Sequence, residues 1–333
     1  MSLLSIIVPI YNVEPYLREG LGSILNQDIG DIEIICIDDA STDKSLDILK
    51  EYATKDPRII IVECKNNGGP SKTRNIGINY TTGKYITFFD PDDKVCTNMY
   101  YTMIQSMESN GCDIAMCGYK TFPSNKKVIP QFPANLPLSP TEFINKSQRV
   151  HSSNDLCFTW RFVFRRDLIN NNKLCFIDKL RIGEDTVFNL NALMLSQKII
   201  HIPEALYNYR VNNLQSIMHK PYNPYMEECL QLQIEEKKKL IKEYNIDKYT
   251  PFTKDMAEDI AKRYTLMLFN NLRNNPNETN KIGGIKRILN MPMIKDAMKI
   301  VGYRNIYSSW KEYVFYLAMR FKLSRIVYKL YFK

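Results

Sequence analysis

The chain has 333 residues, of which 44% are hydrophobic and 24% charged, so it can bury a sizeable core, and its composition excludes a disordered protein. Its net charge of +9 leaves nucleic acid, an anionic membrane surface and phosphorylated small molecules as partner classes. Nucleic acid is the least favoured of these, because the basic residues do not form a sheet face interleaved with aromatic side chains.

The eight cysteines include no CxxC pair and no zinc-like grouping with histidine. Reduced, buried thiols in a cytoplasmic protein explain this pattern best. The first residues, MSLLSIIVPIYN, lack the basic region and cleavage site of a secretory signal. No apolar run approaches the ~18 residues of a spanning helix. We therefore expect a cytoplasmic protein.

The first 120 residues alternate short apolar segments with helical ones. The predicted strands are 5–10, 33–37, 59–63, 84–89 and 113–119, and the predicted helices between them are 15–26, 42–55, 71–80 and 98–110. Strands that are apolar throughout are buried on both faces. This alternation therefore predicts an α/β fold with a mostly parallel central sheet flanked by helices.

The remainder of the chain changes in character twice. Residues 122–140 contain five prolines and are predicted to be irregular. Two further strands (160–165 and 199–201) and a helix between them (185–195) follow, and then three predicted helices at 226–244, 254–274 and 310–333. The sequence thus predicts a sheet domain over residues 1–220 and a helical C-terminal region over residues 221–333.

Polar residues follow each of the first four predicted strands. They are Tyr11 and Asn12, then Asp38, Asp39 and Ser41, then Asn66, Asn67, Gly68 and Gly69, and finally Asp90 and Asp92. Ligands of an open parallel sheet bind beyond the carboxyl ends of its strands. Four such clusters at one edge predict a binding site there.

The segment Asp90-Pro91-Asp92-Asp93 points to a metal ion. In an extended chain, residues two apart face the same way, so Asp90 and Asp92 can face one cation. Pro91 disfavours a helical conformation for Asp90 and fixes its own backbone. Carboxylate oxygens suit Mg²⁺ or Mn²⁺, which also take oxygens from a bound diphosphate. The alternative is an acidic turn that caps the next helix.

One segment and two single residues have both a functional and an ordinary interpretation. A carboxylate of the segment 38–43 can accept the N3–H of a pyrimidine, or the segment is a simple strand-to-helix loop with Ser41 as its N-cap. Arg74 can bind a base carbonyl or a phosphate, or it is an exposed helix arginine. Asp185, at a predicted helix start, can be a general base near an acceptor hydroxyl, or it only interacts with the helix dipole.

Taken together, these segments closely resemble the family-two inverting glycosyltransferases. The matching segments are SIIVPIYN (5–12), IICIDDASTDKS (34–45), NNGGPSKTRNIGI (66–78), YITFFDPDD (85–93), WRFVFRRDLI (160–169), IGEDTVF (182–188) and LYNYRVNNLQSIMH (206–219). They cover about two-thirds of the chain in the order of the family. The resemblance implies the nucleotide-diphospho-sugar transferase fold called GT-A.

The resemblance also implies roles for individual residues. Donor-binding residues would be Pro9, Tyr11 and Asp39 at the base, Arg74 beside them, Asp90 near the ribose or the metal, and Arg210 with Ser216 or His219 over the diphosphate. Asp92 would be the main ligand of Mn²⁺ or Mg²⁺, with Asp90 and His219 as further ligands. Asp185 would be the general base. His219 is otherwise an ordinary surface histidine.

The resemblance therefore predicts that the protein transfers a single sugar from a nucleotide-diphospho-sugar to a hydroxyl of a glycan or lipid-linked acceptor. It also favours UDP as the nucleotide of the donor. The QxxRW signature of processive synthases is absent. Abundant Ile, Lys, Asn and Tyr point to a bacterium and hence to surface-polysaccharide assembly. The alternatives are a non-catalytic nucleotide-sugar-binding protein and a sugar nucleotidyltransferase, although the latter normally needs a Gly- and Lys-rich N-terminal loop that SIIVPIYNVEP lacks.

The C-terminal segment 310–333 mixes aromatic residues with spaced cations. This pattern is typical of an interfacial helix, which would hold the protein on the inner face of an anionic membrane near a lipid-linked acceptor. The alternative is a helix packed on the catalytic domain with a solvated basic edge.

Overall fold

The computed structural model describes residues 2–146, 150–153, 155–213, 220–303 and 309–332. The chain divides into two compact units. One comprises Met1–Ser147 and Asp155–Asn213, and the other comprises Gln148–Asn154 and Leu214–Lys333. The domain boundary predicted between residues 220 and 221 stays a prediction.

The first unit is built on one sheet, which has nine strands within the described residues. The strands are β1 Leu4–Ile10, β2 Ile32–Asp38, β3 Ile59–Glu63, β4 Tyr85–Phe88, β5 Lys94–Val95, β6 Ile114–Phe122, β7 Lys127–Val128, β8 Phe162–Arg165 and β9 Ile199–Arg210. Their order is β3-β2-β1-β4-β8-β6-β9-β5, and β7 pairs with β6.

Most of these strands point the same way. β1 is parallel to β2 and β4, β2 is parallel to β3, and β6 is parallel to β9. β8 lies antiparallel between β4 and β6, which brings β6 back to the direction of β4. Only β5, β7 and β8 run the other way among the described strands. The predicted α/β class with a mostly parallel sheet is confirmed.

Seven α-helices accompany this sheet in the part of the first unit that the structure describes. They are α1 Glu14–Leu25, α2 Ser45–Lys55, α3 Pro70–Tyr80, α4 Met99–Asn110, α5 Pro140–Lys146, α6 Arg166–Asn171 and α7 Glu184–Leu195.

β1, β2 and β4 are buried along almost their whole length. Strands covered on both faces need such continuous apolar runs, which is why these elements were predictable.

The first unit departs from the sequence prediction in three places. β9 extends to Arg210, although only residues 199–201 were predicted, because Glu204, Asn208 and Arg210 interrupt its apolar pattern even though Leu206 and Tyr207 are buried. The segment predicted as irregular contains the short strand β7. A 3-10 turn, Thr159–Arg161, precedes β8.

The second unit is helical in its described residues. Its helices are α8 Met226–Glu243, α9 Thr250–Asp259, α10 Thr265–Asn274, α11 Lys281–Ile288, α12 Pro292–Val301, α13 Trp310–Arg320 and α14 Ser324–Tyr331, with a π-helical segment Ile260–Tyr264 between α9 and α10. Among the described residues, no helix is both long and apolar enough to cross a membrane.

The prediction of one continuous helix over 310–333 was wrong. Lys322 adopts a left-handed backbone with φ of 55° and ends α13. The Leu323 amide donates to the Ala318 carbonyl at 2.8 Å, and the Lys322 amide donates to the Met319 carbonyl at 2.9 Å. This pair of bonds is a Schellman motif, which satisfies the last carbonyls of a helix. Glycine is the usual residue at this position of the motif. Because residue 322 is a lysine, the sequence does not indicate that the helix ends there.

Gly77 provides a test of how closely α3 packs on the sheet. A Cβ added there would lie 2.4 Å from Ile7 Cγ2 and 2.9 Å from Ile37 Cδ1. We expect Gly77→Ala to lower the free energy of unfolding by about 1–3 kcal/mol, measured by urea denaturation. Gly22→Ala in α1 is the control, because no atom lies within 4 Å of its added Cβ. It should stabilise the chain by about 0.5–1 kcal/mol. Equal stability of both variants would contradict this packing.

Candidate active site

The first two strand-to-helix loops are joined to each other by hydrogen bonds. Asn12, whose φ is 51°, accepts a bond from the Thr42 amide at 2.8 Å. Its own amide donates to Ser41 Oγ at 3.2 Å. Tyr11, one residue earlier, is 47% exposed, and Pro9 is half-buried in β1. The structure therefore leaves an open aromatic ring at the carboxyl end of β1.

Asp39 ties the end of β2 to the start of α3. Its two carboxylate oxygens accept bonds from the Gly68 and Gly69 amides, each at 2.8 Å. Gly69 has a φ of 83°, which a residue with a side chain rarely adopts. Asp39 is buried, and each of its oxygens retains a second lone pair. Its predicted contact with a base is therefore compatible with these bonds.

Arg74 lies buried between two carboxylates. One of its terminal nitrogens donates to Glu184 Oε1 at 2.7 Å and the other to Asp90 Oδ1 at 3.1 Å. Burial opposes its charge, but Asp90 and Glu184 raise the pKa of Arg74 above its ordinary value. The structure thus places Arg74 as a bridge from the turn after β4 to the start of α7.

The acidic turn, defined here as residues 90–93, carries excess negative charge. Burial raises the pKa of Asp92, and the neighbouring charge of Asp90 adds to this effect. Burial also raises the pKa of Asp93 well above its usual range, with contributions from Asp92 and Asp90. Asn213 Nδ2 donates to Asp92 Oδ2 at 2.7 Å, but this amide is neutral. A bound cation would relieve the remaining repulsion.

Asp93 holds the acidic turn in place. It accepts bonds from Tyr207 Oη at 2.9 Å and from the Arg210 amide at 2.6 Å. Arg210 Nε in turn donates to the Asp92 carbonyl at 2.7 Å, and its guanidinium pairs with Glu19. The sequence did not identify this role of Asp93. Its only sign in the sequence was that it is the third acidic residue of the DPDD segment.

Helix α1 also contacts the acidic turn. A Cβ added at Gly20 would lie 2.4 Å from the Pro91 carbonyl oxygen and 3.3 Å from that of Asp93. Because both contacts are with backbone atoms, a side chain at residue 20 would displace the turn. Gly20 is thus required by the close approach of α1 to this part of the site.

Asp185 lies at the first turn of α7. Its Oδ2 accepts a bond from the Phe158 amide at 2.5 Å, and its Oδ1 accepts one from the Thr186 amide at 2.7 Å. Its neighbour Glu184 pairs with Arg74, which pairs with Asp90. The structure therefore links Asp185 to the acidic turn through one buried arginine, although 92 positions separate residues 185 and 93 in sequence.

An aromatic column forms a second link between these groups. Phe158 stacks on Trp160 with ring centres 4.9 Å apart, and Trp160 stacks on Tyr207 at 3.9 Å. Phe158 has a φ of 69°, an uncommon and strained value for a bulky residue. The column thus runs from the amide that binds Asp185 to the hydroxyl that binds Asp93. Trp160 and Tyr207 lie in segments that carry the family resemblance, whereas Phe158 lies outside them.

The donor chemistry of the acidic turn fits a divalent metal ion. Among the described residues, Asp92 Oδ1 and Asp90 Oδ2 accept no hydrogen bond from another residue. Two hard carboxylate oxygens suit Mn²⁺ or Mg²⁺ and leave positions for diphosphate oxygens. The described part of the chain groups no three His, Cys, Asp or Glu side chains for a metal ion. Ser216 and His219 lie outside the described residues.

Comparison with known proteins assigns the chain to a family. The model of "Glycosyl transferase family 2" matches residues 5–171. The chain is 35% identical over 302 residues to "Uncharacterized glycosyltransferase EpsJ" from Bacillus subtilis strain 168, covering 90% of this chain and 87% of that relative. The chain belongs to glycosyl transferase family 2. It is a glycosyltransferase.

Two further similarities concern a longer relative and a solved structure. Over 211 residues the chain is 36% identical to "Minor teichoic acid biosynthesis protein GgaB" from B. subtilis strain 168, covering 62% of this chain but only 23% of that protein. The structure matches residues 1–349 of S. aureus TarS in complex with UDP-GlcNAc, with a TM-score of 0.64 and 18% identity, covering 98% of this chain and 90% of the TarS chain. This likeness supports the expected GT-A fold.

The approach of α1 to the acidic turn generates a test. We expect Gly20→Ala to lower kcat/KM for glycosyl transfer about 100-fold, because a misplacement of about 1 Å at a catalytic group has that effect. The measurement is the rate of nucleoside diphosphate release. Gly22→Ala, in the same helix but with open space at its Cβ, should keep the wild-type rate. A Gly20→Ala rate equal to that of Gly22→Ala would show that the turn tolerates displacement.

Proposed function

We propose that this glycosyltransferase transfers one sugar from a UDP-sugar, in a metal-dependent reaction with inversion, to a hydroxyl of a glycan or lipid-linked acceptor in bacterial surface-polymer assembly. The observation that carries the proposal is the buried bridge of Arg74 from Asp90 to Glu184. It links a turn whose carboxylates suit a metal ion to the start of α7, where the separate carboxylate of Asp185 lies.

The donor nucleotide would bind at the carboxyl ends of β1 and β2. Pro9, Tyr11 and Asp39 would hold the base, with the exposed ring of Tyr11 available for contact. Uridine is favoured because the structurally similar TarS was solved with UDP-GlcNAc. Arg74 would support this site through its ion pair with Asp90, and Arg210 would close on the diphosphate side.

The acidic turn would hold Mn²⁺ or Mg²⁺. Asp92 would be the main ligand with Asp90 beside it, and His219 stays a predicted third ligand. When bound, the cation would supply positive charge at the diphosphate that leaves. The tight anchoring of the turn through Asp93 and Gly20 would keep both carboxylates in place before the donor arrives.

Asp185 would act as general base towards the acceptor. It would take the proton of the acceptor hydroxyl while that oxygen bonds to the anomeric carbon and the bond to the diphosphate oxygen breaks. Attack opposite the leaving group inverts the anomeric centre. The Phe158 amide fixes one oxygen of Asp185, so Phe158 would be a positioning residue. Hydrogen-bond donors that already point at the charges that develop in the transition state need no rearrangement during the reaction.

The acceptor class and the location rest on the relatives and on charge. One relative is named for minor teichoic acid biosynthesis, which supports a cell-surface polymer or its lipid-linked precursor as acceptor. A cytoplasmic enzyme in peripheral contact with the membrane would meet such a precursor. Family membership favours transfer over both alternatives, the non-catalytic binding protein and the sugar nucleotidyltransferase.

The base assignment predicts the effect of Asp185→Asn. The amide keeps the shape and the acceptor oxygen for the Phe158 bond but cannot take a proton. We expect kcat to fall by about 10²–10⁴-fold, with the affinity for UDP and Mn²⁺ unchanged in calorimetry. The control is Asp167→Asn, an exposed aspartate of α6, which should transfer at the wild-type rate. Near wild-type turnover of Asp185→Asn would remove this residue from the mechanism.

The metal assignment predicts the effect of Asp92→Ala. We expect this variant to lose the part of UDP affinity that depends on Mn²⁺, a reduction of at least about tenfold, because one of two charged ligands is removed. Titration calorimetry with and without Mn²⁺ measures the difference. Asp167→Ala is the control and should retain metal-dependent binding. Asp167 lies in α6, which follows the end of β8 that pairs with the start of β4, whereas the acidic turn follows the end of β4. Unaltered affinity in Asp92→Ala would refute its role as a ligand.

A further inference from the structure

A basic cavity lies in the C-terminal unit, and its lining includes none of the residues assigned to catalysis. Its volume is about 290 Å³. Its charged lining residues are Lys295, Lys299, Arg320 and Lys322, and none of the lining residues that the structure describes is acidic. Tyr303 and Phe321 contribute aromatic walls. Four positive charges around a small volume form a site for an anion.

Two of these cations are fixed and two are available. Arg320 donates to the Met298 carbonyl, and its guanidinium lies 4.3 Å from the centre of the Tyr303 ring. Lys322 donates to Asn290 Oδ1 at 2.8 Å. Lys295 and Lys299 lie one turn apart on α12, are exposed, and have no ion pair within the described residues. The two lysines can therefore turn to a bound anion at little cost.

Exposed apolar side chains follow directly after Lys322, a lining residue of the cavity. Leu323, Ile326 and Leu330 are 45%, 44% and 52% exposed. Leu323 directly precedes α14, and Ile326 and Leu330, four residues apart, lie on one side of the helix. Only Val327 is fully buried in this helix. Water therefore contacts a continuous apolar stripe in the isolated chain.

A second stripe of cations accompanies the apolar one. Lys322, Arg325 and Lys329 have the same three- and four-residue spacing, displaced by one position. α14 contains no acidic residue. Apolar side chains flanked by long cationic ones are typical of a helix lying in a membrane interface, where the cations extend to the headgroups.

We propose that the basic cavity binds the phosphate headgroup of an anionic membrane lipid, while the apolar stripe of α14 enters the acyl boundary. Lys and Arg are strong donors to phosphate, and a membrane surface attracts each of them. A soluble polyanion would satisfy the cavity but would leave Leu323, Ile326 and Leu330 in water. The inference rests on the proposed lipid-linked acceptor for its purpose, but lipid binding itself needs neither donor nor acceptor.

The test is flotation of the full chain with phosphatidylcholine vesicles that contain or lack phosphatidylglycerol. We expect wild-type protein to bind only the anionic vesicles. Lys295→Gln with Lys299→Gln should weaken this binding roughly 25-fold, because each lysine near an anionic surface contributes about fivefold. The matched control is Lys242→Gln with Lys248→Gln, exposed lysines of the same unit outside the cavity, which should bind more tightly than the cavity variant. Equal loss in both would show only diffuse attraction and overturn the cavity site.

A second variant separates lipid from soluble anions. Ile326→Gln with Leu330→Gln keeps all cations, so it should lose vesicle binding but keep its retention on heparin. Vesicle binding that survives this variant, or a cavity variant that loses heparin but not vesicles, would overturn the lipid assignment. Both variants should turn over a soluble acceptor at the wild-type rate. Loss of vesicle binding with intact transfer therefore tests this inference alone, and absent transfer with intact vesicle binding counts only against the proposed function.

Discussion

Arg74 lies buried between the carboxylates of Asp90 and Glu184 and donates a hydrogen bond to each. Loss of one partner from such a buried pair costs about 3–5 kcal/mol, because it leaves a charge without compensation. The turn after β4 and the start of α7 are therefore held at one distance from each other. The positions proposed for the metal ion and for the general base depend on this constraint.

The site keeps a surplus of negative charge even with this arginine in place. Burial and mutual repulsion raise the pKa values of Asp92 and Asp93, and the surrounding contacts resist relaxation of the turn. Gly20 lets α1 approach it, and Tyr207 binds Asp93 from the end of the aromatic column. Carboxylates held close against repulsion are suited to binding a cation. The strained backbone of Phe158 fits the same interpretation, since its amide fixes Asp185.

The two units use charge in opposite ways. The first concentrates carboxylates at the carboxyl edge of its sheet, where a cation and an anionic donor would meet. The second concentrates lysine and arginine around a cavity and along α14. The overall charge of +9 conceals this separation. Net charge therefore says little about partners until the fold places the charged residues.

The sequence by itself determined the α/β class and the strands β1, β2 and β4, because a strand buried on both faces must be apolar along its length. It also placed Asp39, Asp90, Asp92 and Asp185 as candidate site residues. Only the tertiary structure decided that Arg74 pairs with Glu184, 110 positions away, and that Asp93 holds the turn. The Schellman motif at Lys322 could not be predicted from the sequence either. Apolar periodicity is a local property of the chain, whereas the partner of a buried charge is set by long-range packing.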